Sequence, residues 1–422
     1  MEIMSFKDTF AWLVFGLFMA LEAALLTNYL GYFGPYLSPV LYVLAGVGQG
    51  ALAIWMVRKG ILGFTPPNWM TYVFAGLIIA TAWIFFHRFQ VALVEFPIGP
   101  YQSDVIPSLQ MYVQRLLLGE TVYSPLVFPS WTVLPTYFPM MWLPYVLGEW
   151  LQVDYRWVPF ILMLAAIVGW GRKYSSKPVY AFGVLLLMTM LLAIVTYKPE
   201  SFGHAVELTP TSYYYFLCLG LLNAPLVGLA IGFCLMSRYA ISFWLLLYLV
   251  VHFHQKAWKN TITMCLYVGG FILMVYIIPF LAKDPSILTD GLAYYKQTAT
   301  DQWKPQSWQS EGDIPHHLNQ GLSFSIWFYS LSDAPLEARL SLAQKVHALM
   351  TFGSVLIFVA LYFLRKAYKS YPRLFLMAAL KIFLVLFYGF IHVPFHYLYM
   401  LPLLVSVPLF LELNRTLIQR QQ

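Results

Sequence analysis

The chain reads as an all-α, polytopic integral membrane protein with about 12 transmembrane helices, and three observations carry that reading. Hydrophobic residues make up 60% of the 422 and charged residues only 10%, so the apolar surface exceeds what one water-soluble core can hide. The apolar residues fall in runs of about 17 to 25, the length that crosses a bilayer as a helix. The cations gather in short loops between these runs. The net charge of +7 is therefore a topology signal of the positive-inside kind, and it points to no nucleic-acid partner.

Runs of spanning length fall near 10–30, 39–57, 70–93, 179–197, 213–236, 260–281, 348–364, 373–392 and 396–413, with shorter candidates at 136–150, 156–171 and 239–254. The first run, interrupted by Glu22 and without a cleavage site, reads as a retained span. Residues 1–69 form an N-terminal transmembrane hairpin ahead of the main transmembrane domain, 70–422. Helices follow by necessity, because lipid offers backbone groups no partner and the runs are too long for barrel strands. Arg58-Lys59, the cluster Lys256 to Lys259 and the segment Arg365 to Arg373 mark cytoplasmic loops. That assignment sets both termini inside and the long loops 95–135 and 283–345 outside. Two details strain the wiring: Arg172, Lys173 and Lys177 fall outside, and Lys198 to Glu207 falls inside. No internal repeat of the kind found in many secondary transporters is visible. The second outer loop reads as a mostly irregular polar segment with interleaved Trp and Tyr. Cys218, Cys234 and Cys265 sit in apolar runs without ligand spacing and read as packing residues.

The stretch 96–144 is the first long segment that does not span, and it places an acid, Asp104, where an apolar span gives way to an amphipathic one. Ser103 suits the cap of a helix whose apolar positions Val105, Leu109, Val113, Leu116 and Leu117 recur at helical spacing. That helix is expected to lie along the membrane surface with Asp104 in its first turn. Spacing alone leaves two readings of Asp104 open, a functional carboxylate or an acid that merely suits a helix N-terminus.

The order of an acid after an outward span, an amphipathic helix ending in Gly119-Glu120 and Val122-Tyr123, then Tyr137-x-Pro139 and Pro144, resembles the polyprenyl-phosphate-dependent GT-C membrane glycosyltransferases, including their mannosyltransferase-like group. The run from Gly228 to Arg238-Tyr239 is similar to that superfamily's glycine-containing span with a cation at its outer end. The segment His392-Val-Pro-Phe-His396-Tyr397-x-Tyr399-x-x-Pro402 resembles the aromatic and basic start of a late span. The resemblance implies transfer of a sugar from a polyprenyl-phosphate donor to a glycan, lipid or protein acceptor at the outer, periplasmic face, most simply of a bacterial inner membrane. Asp104 is then the general base, and Arg238 holds the lipid phosphate. His392, His396, Tyr397 and Trp303 are the further candidates for substrate binding, Trp303 by stacking on a sugar ring. A single Asp stands where many relatives carry an adjacent acidic pair, so no cofactor is implied and a divalent metal is not indicated.

Each of these residues also has a plainer reading: Arg238 as a topology-setting or snorkelling cation, the histidines as interfacial hydrogen-bonders, and Tyr397 and the tryptophans as interfacial anchors. Glu22 and Glu149 are acids within apolar runs, for which a structural partner competes with a functional role. His87, Arg88 and Glu95 precede the key loop and read as solvated positions. His316-His317, with Glu311 and Asp313 nearby, lacks metal-ligand spacing, Trp308 shares that loop, and His252 and His254 fall on the cytoplasmic side. No phosphate-binding loop or dinucleotide fingerprint is present. Two other classes stay open: a polymerase or ligase of lipid-linked glycans, and a transporter or flippase. The first would rely on Arg and His in the loop before its late spans, where Arg339 is the one Arg and the prominent acid lies in the first loop instead. The second would place several ionisable groups at mid-membrane.

Overall fold

The structure is a computed structural model that describes residues 5–421 apart from 102, 175, 204–206, 257, 307, 308, 311 and 332. Three long apolar helices open the chain: α1 (Phe6–Tyr32), α2 (Gly34–Lys59) and α3 (Met70–Glu95). Helix α2 stops where Gly60 turns into the left-handed region at φ 65°, a conformation that costs glycine nothing. The amphipathic helix α4 (Val105–Leu118) follows, burying Ile106, Leu109, Tyr112 and Val113 on one face and ending at Gly119 (φ 72°). A two-residue antiparallel hairpin then pairs Leu126–Val127 with Thr132–Val133.

The middle of the chain departs from the expected spans at two places. Residues 139–151 are helical but change type on the way: Pro139 opens an α-helical turn, Pro139–Trp142, which passes through a 3₁₀ turn, Leu143–Tyr145, into Val146–Leu151, because Pro144 supplies no donor to a continuing α-helical ladder. The chain then bends by 118° into the segment that ends in α5 (Val158–Lys173). Asp154 accepts the Arg156 N–H at the bend. After α6 (Lys177–Tyr197), the single span expected over 213–236 is two helices, α7 (Leu208–Gly220) and α8 (Ala224–Leu235), packed on each other. The break has a local cause. Leu222 adopts φ 69°, Asn223 accepts the Leu226 N–H as an N-cap, and a proline follows in the first turn of α8.

Helices α9 (Ile241–Gln255) and α10 (Trp258–Ile272) come next, the latter running on through Pro279 as a π-helical stretch, Leu273–Leu281. The second long loop is more ordered than its composition suggests. It contains α11 (Ser286–Gln302) and the short helices His316–Gln320 and Ser325–Ser330. Helices α12 (Leu336–Leu364), α13 (Pro372–Gly389) and α14 (Met400–Gln421) complete the chain.

Among the described residues, eight helical segments are long and apolar enough to cross a membrane. With 79% of its residues helical, the protein is an all-α, multi-pass integral membrane protein. Its packing is that of a protein solvated by lipid. The apolar windows of α13 and α14 are 89% buried and form the centre, whereas those of α3 and α10 are 17% and 11% buried and turn Tyr72, Ile79, Leu266 and Met274 outward. The N-terminal hairpin is continuous with this core. Cβ on Gly46 of α2 would collide with Val385 of α13, so only glycine permits the approach. Beside it the buried Lys381 Nζ donates to both Glu22 oxygens at 2.7 and 2.8 Å, to Pro402 O at 2.7 Å and to Ser406 Oγ at 2.9 Å. Glu22 therefore has a structural partner, which offsets the cost of placing its charge among apolar helices.

Candidate functional site

Helices α7 and α14 run between two polar clusters, one at each end of the bundle. At one end Arg373 binds Glu412 at 2.8 Å and donates to the carbonyls of Cys218, Leu219 and Leu221, while Lys173 Nζ donates to Leu219 O at 2.7 Å. These cations serve the carbonyls that the end of α7 leaves without helical partners. The other end holds the residues to which the sequence points.

Arg238 lies just past the C-terminus of α8, its N–H donating to Cys234 O at 2.9 Å. The α7–α8 hairpin brings it against Glu207, which precedes the first turn of α7, and the two form an ion pair. Each charge also suits the helix end beside it. Glu207 is 1% exposed and Arg238 25% exposed, so the cation is the member of the pair nearer the surface. Among the described residues Glu207 Oε2 and Arg238 Nε make no hydrogen bond.

The segment around Tyr137 is fastened to this hairpin through its backbone. Met140 N donates to Met236 O at 2.8 Å, Tyr213 OH donates to Met140 O at 3.0 Å, and the Tyr145 and Thr209 hydroxyls share a bond of 3.0 Å. From the other side Tyr123 OH donates to Tyr137 O at 3.1 Å and Tyr137 N donates to Tyr112 OH of α4 at 3.4 Å. The amphipathic helix is thereby held over the site, with Asp104 at its start.

Ser103 Oγ accepts the Val105 N–H at 3.2 Å, so the cap is supplied by the serine and the Asp104 side chain makes no capping bond. Among the described residues the half-buried Asp104 carboxylate hydrogen-bonds no other residue, and burial raises its pKa above the usual value. The charges of Arg238, Asp104 and Glu207 all act on Tyr137, and the same three act on Tyr397. Five groups from four separate stretches of chain thus share one region. His396, adjacent to Tyr397, shares a 3.0 Å hydrogen bond with Ser201.

Trp303 and His392 are placed differently from the rest. Trp303 is fully buried and its Nε1 donates to His392 O at 2.6 Å, so the indole pins the second long loop and presents no free face to a sugar. His392 packs its ring against Tyr295 and His347, with centroids 5.7 and 6.1 Å away, and burial pushes its pKa down to about 4. It is a neutral imidazole at pH 7 and holds no cation for a phosphate. Tyr295 in turn hydrogen-bonds Tyr239, next in chain to Arg238, which links His392 to the wall of the site.

The remaining residues singled out in the sequence sit elsewhere. His87, Arg88 and Glu95 are exposed on α3. Glu149 accepts a 2.7 Å bond from Tyr155 OH. His252 and His254 bond the hydroxyls of Tyr248 and Tyr362. His317 packs on Phe395, and burial pushes it down to about 4. Trp308 and Glu311 lie outside the described residues, among which no group of three metal-ligating side chains occurs. Sequence reasoning missed Glu207 and Lys381. For Glu207 the signal was present: an acid that directly opens an apolar run is placed where a helix begins. Lys381 had none, since one cation in a long apolar run does not reveal its partner.

No family model, no curated protein and no solved structure matches this chain.

Proposed function

We propose that the protein is an integral-membrane glycosyltransferase that moves a sugar from a polyprenyl-phosphate donor to a glycan, lipid or protein acceptor at the outer, periplasmic face, in a bacterial inner membrane. The reading is supported by the Glu207–Arg238 ion pair, which lies with Asp104 within electrostatic reach of both Tyr137 and Tyr397, although the chain separates these residues widely. Asp104 suits the role of base: among the described residues its carboxylate hydrogen-bonds no other residue, and burial raises its pKa, which strengthens it for removing the acceptor hydroxyl's proton. Arg238 is the cation for the donor phosphate, aimed by Glu207 and with an Nε that makes no hydrogen bond among the described residues. Tyr137 and Tyr397 are hydroxyl donors toward the same charge. Attack by the activated hydroxyl breaks the bond between the anomeric carbon and the phosphate oxygen, inverts that carbon and releases the polyprenyl phosphate.

Twelve crossings belong to this reading. To the eight long segments are added α5, α7, α8 and α9, which have 16, 13, 12 and 15 residues. These span only about 18 to 24 Å, less than a hydrocarbon core, and α7 is sheltered by protein along nearly its whole length. With α7 and α8 counted separately and 136–150 not crossing, Arg172, Lys173 and Lys177 move to the inside and Lys198 to Glu207 to the outside. Both strains in the charge pattern disappear, and the candidate site faces out. The buried Lys381–Glu22 pair gives no support to a transporter, because its partners within the bundle are all structural.

The test is transfer in proteoliposomes supplied with a radiolabelled polyprenyl-phosphate sugar and a membrane glycolipid extract as acceptor. The reading predicts labelled acceptor or, without acceptor, slow donor hydrolysis that depends on the protein. Uptake of the intact donor without cleavage would instead assign the flippase class.

A further inference from the structure

At the end of the bundle opposite Asp104 and Arg238, the C-terminus of α2, the connection into α13 and the C-terminus of α14 enclose a cavity of about 330 Å³. Arg58 and Arg420 line it together with Tyr368 and Tyr371, over an apolar floor that includes Leu374 and Phe375. The surrounding sequence is one-sided. Residues 54–60 carry two cations, 365–375 four and 413–421 two, and these three stretches hold no acid. The nearest acid in sequence, Glu412, is taken by Arg373 and Arg415. Arg58 and Arg420 form no ion pair among the described residues, and Arg420 is oriented by its bond to Val57 O. The cavity therefore combines two guanidinium groups without an ion pair among the described residues, two phenol-bearing side chains and an apolar floor, at the ends of α2, α13 and α14.

Planar guanidinium groups donate in pairs to the oxygens of a tetrahedral phosphate, and the apolar floor is suited to the first methylenes of a chain attached to it. The positive end of the bundle is also the one that the charge count sets in the cytoplasmic leaflet, where anionic lipids concentrate. We propose that this cavity binds the phosphate of an anionic phospholipid of the cytoplasmic leaflet, with Arg58 and Arg420 on the phosphate oxygens and the acyl chain along Leu374 and Phe375. This site is independent of the glycosyl-transfer reading.

The experiment measures binding of dioleoyl phosphatidylglycerol and dioleoyl phosphatidylcholine to the detergent-purified full chain by native mass spectrometry. Wild type is compared with Arg58→Gln, whose parent side chain is exposed and makes no hydrogen bond or ion pair among the described residues, and the lipid-free melting temperature of both is recorded. The proposal predicts selective retention of the glycerol lipid, about tenfold weaker in Arg58→Gln, with the choline lipid and the lipid-free melting temperature unchanged. Equal retention of both lipids, or undiminished retention by Arg58→Gln, overturns it. A parallel arm with millimolar inorganic phosphate decides the source: competition that is equally Arg58-dependent in the absence of any retained lipid assigns the cavity to soluble phosphate and overturns the lipid assignment.

Discussion

A half-buried carboxylate that hydrogen-bonds no other residue among the described ones is poorly placed as a structural acid. Asp104 costs the fold something while it is charged. Its folded pKa is raised, so the folded state binds the extra proton and stability falls as pH climbs through that pKa. Asp104→Asn should accordingly melt at the same temperature as wild type or slightly higher at pH 7, as expected where function is retained against stability. The same raised pKa fixes the sign of the activity profile. The base works deprotonated, so kcat/KM falls as pH drops through it, and the acidic limb is absent from the residual activity of Asp104→Asn. Arg238 has a different signature. Loss of a charge-assisted contact to the donor phosphate in Arg238→Ala should raise the donor KM about 10- to 100-fold, with Arg238→Lys intermediate, while acceptor KM stays unchanged. An unchanged donor KM in Arg238→Ala contradicts its assignment as the phosphate ligand. Asp104 and Arg238 are both visible in the sequence, as an acid beside an amphipathic run and a cation ending a glycine-containing one. Glu207 carries the mark of a helix start, but its pairing with Arg238 was hidden because it depends on a turn that joins two helices where hydropathy shows one continuous run.

That turn shows where hydropathy stops being informative about elements. The run 213–236 is uniformly apolar, and an averaging window cannot register a three-residue break. The local grammar can: Asn223 followed by a proline is a helix start, and it is read only when caps are weighed against hydropathy. Likewise Pro139 and Pro144 mark 136–150 as a poor span despite its composition. The long helices α1, α2, α3, α6, α12, α13 and α14 were legible because apolar length alone specifies them. The ordering of α11 was not, since a polar helix held by packing leaves little trace in composition. Two measurements act at this scale. Asn223→Ala should lower the melting temperature, by the equivalent of about 1 kcal/mol for a lost N-cap. Single cysteines replacing Lys198 and Arg172 should be labelled by a membrane-impermeant reagent from the outside and the inside respectively. Labelling of position 198 from the cytoplasm alone would contradict separate crossings by α7 and α8.

Taken as a whole, the molecule is a lipid-solvated bundle whose central helices are fixed by polar contacts deep within it and whose two ends carry different chemistry. The Lys381–Glu22 pair is the strongest of those contacts, fully buried and tied to Ser406, which in turn donates to Gln49 at 2.8 Å. Removing one partner strands a charge: Lys381→Met alone should destabilise by about 3 to 5 kcal/mol, and Glu22→Leu with Lys381→Met should recover most of that loss. Transfer activity that survives in the double variant would match a purely structural pair. At the outer end, the account stands on one carboxylate. The most direct measurement is transfer from a polyprenyl-phosphate sugar in proteoliposomes by wild type and Asp104→Asn, run beside their thermal melts. The account predicts a loss of about 10²- to 10⁴-fold in kcat with donor binding and melting temperature preserved. Full transfer by a normally folded Asp104→Asn protein would contradict it.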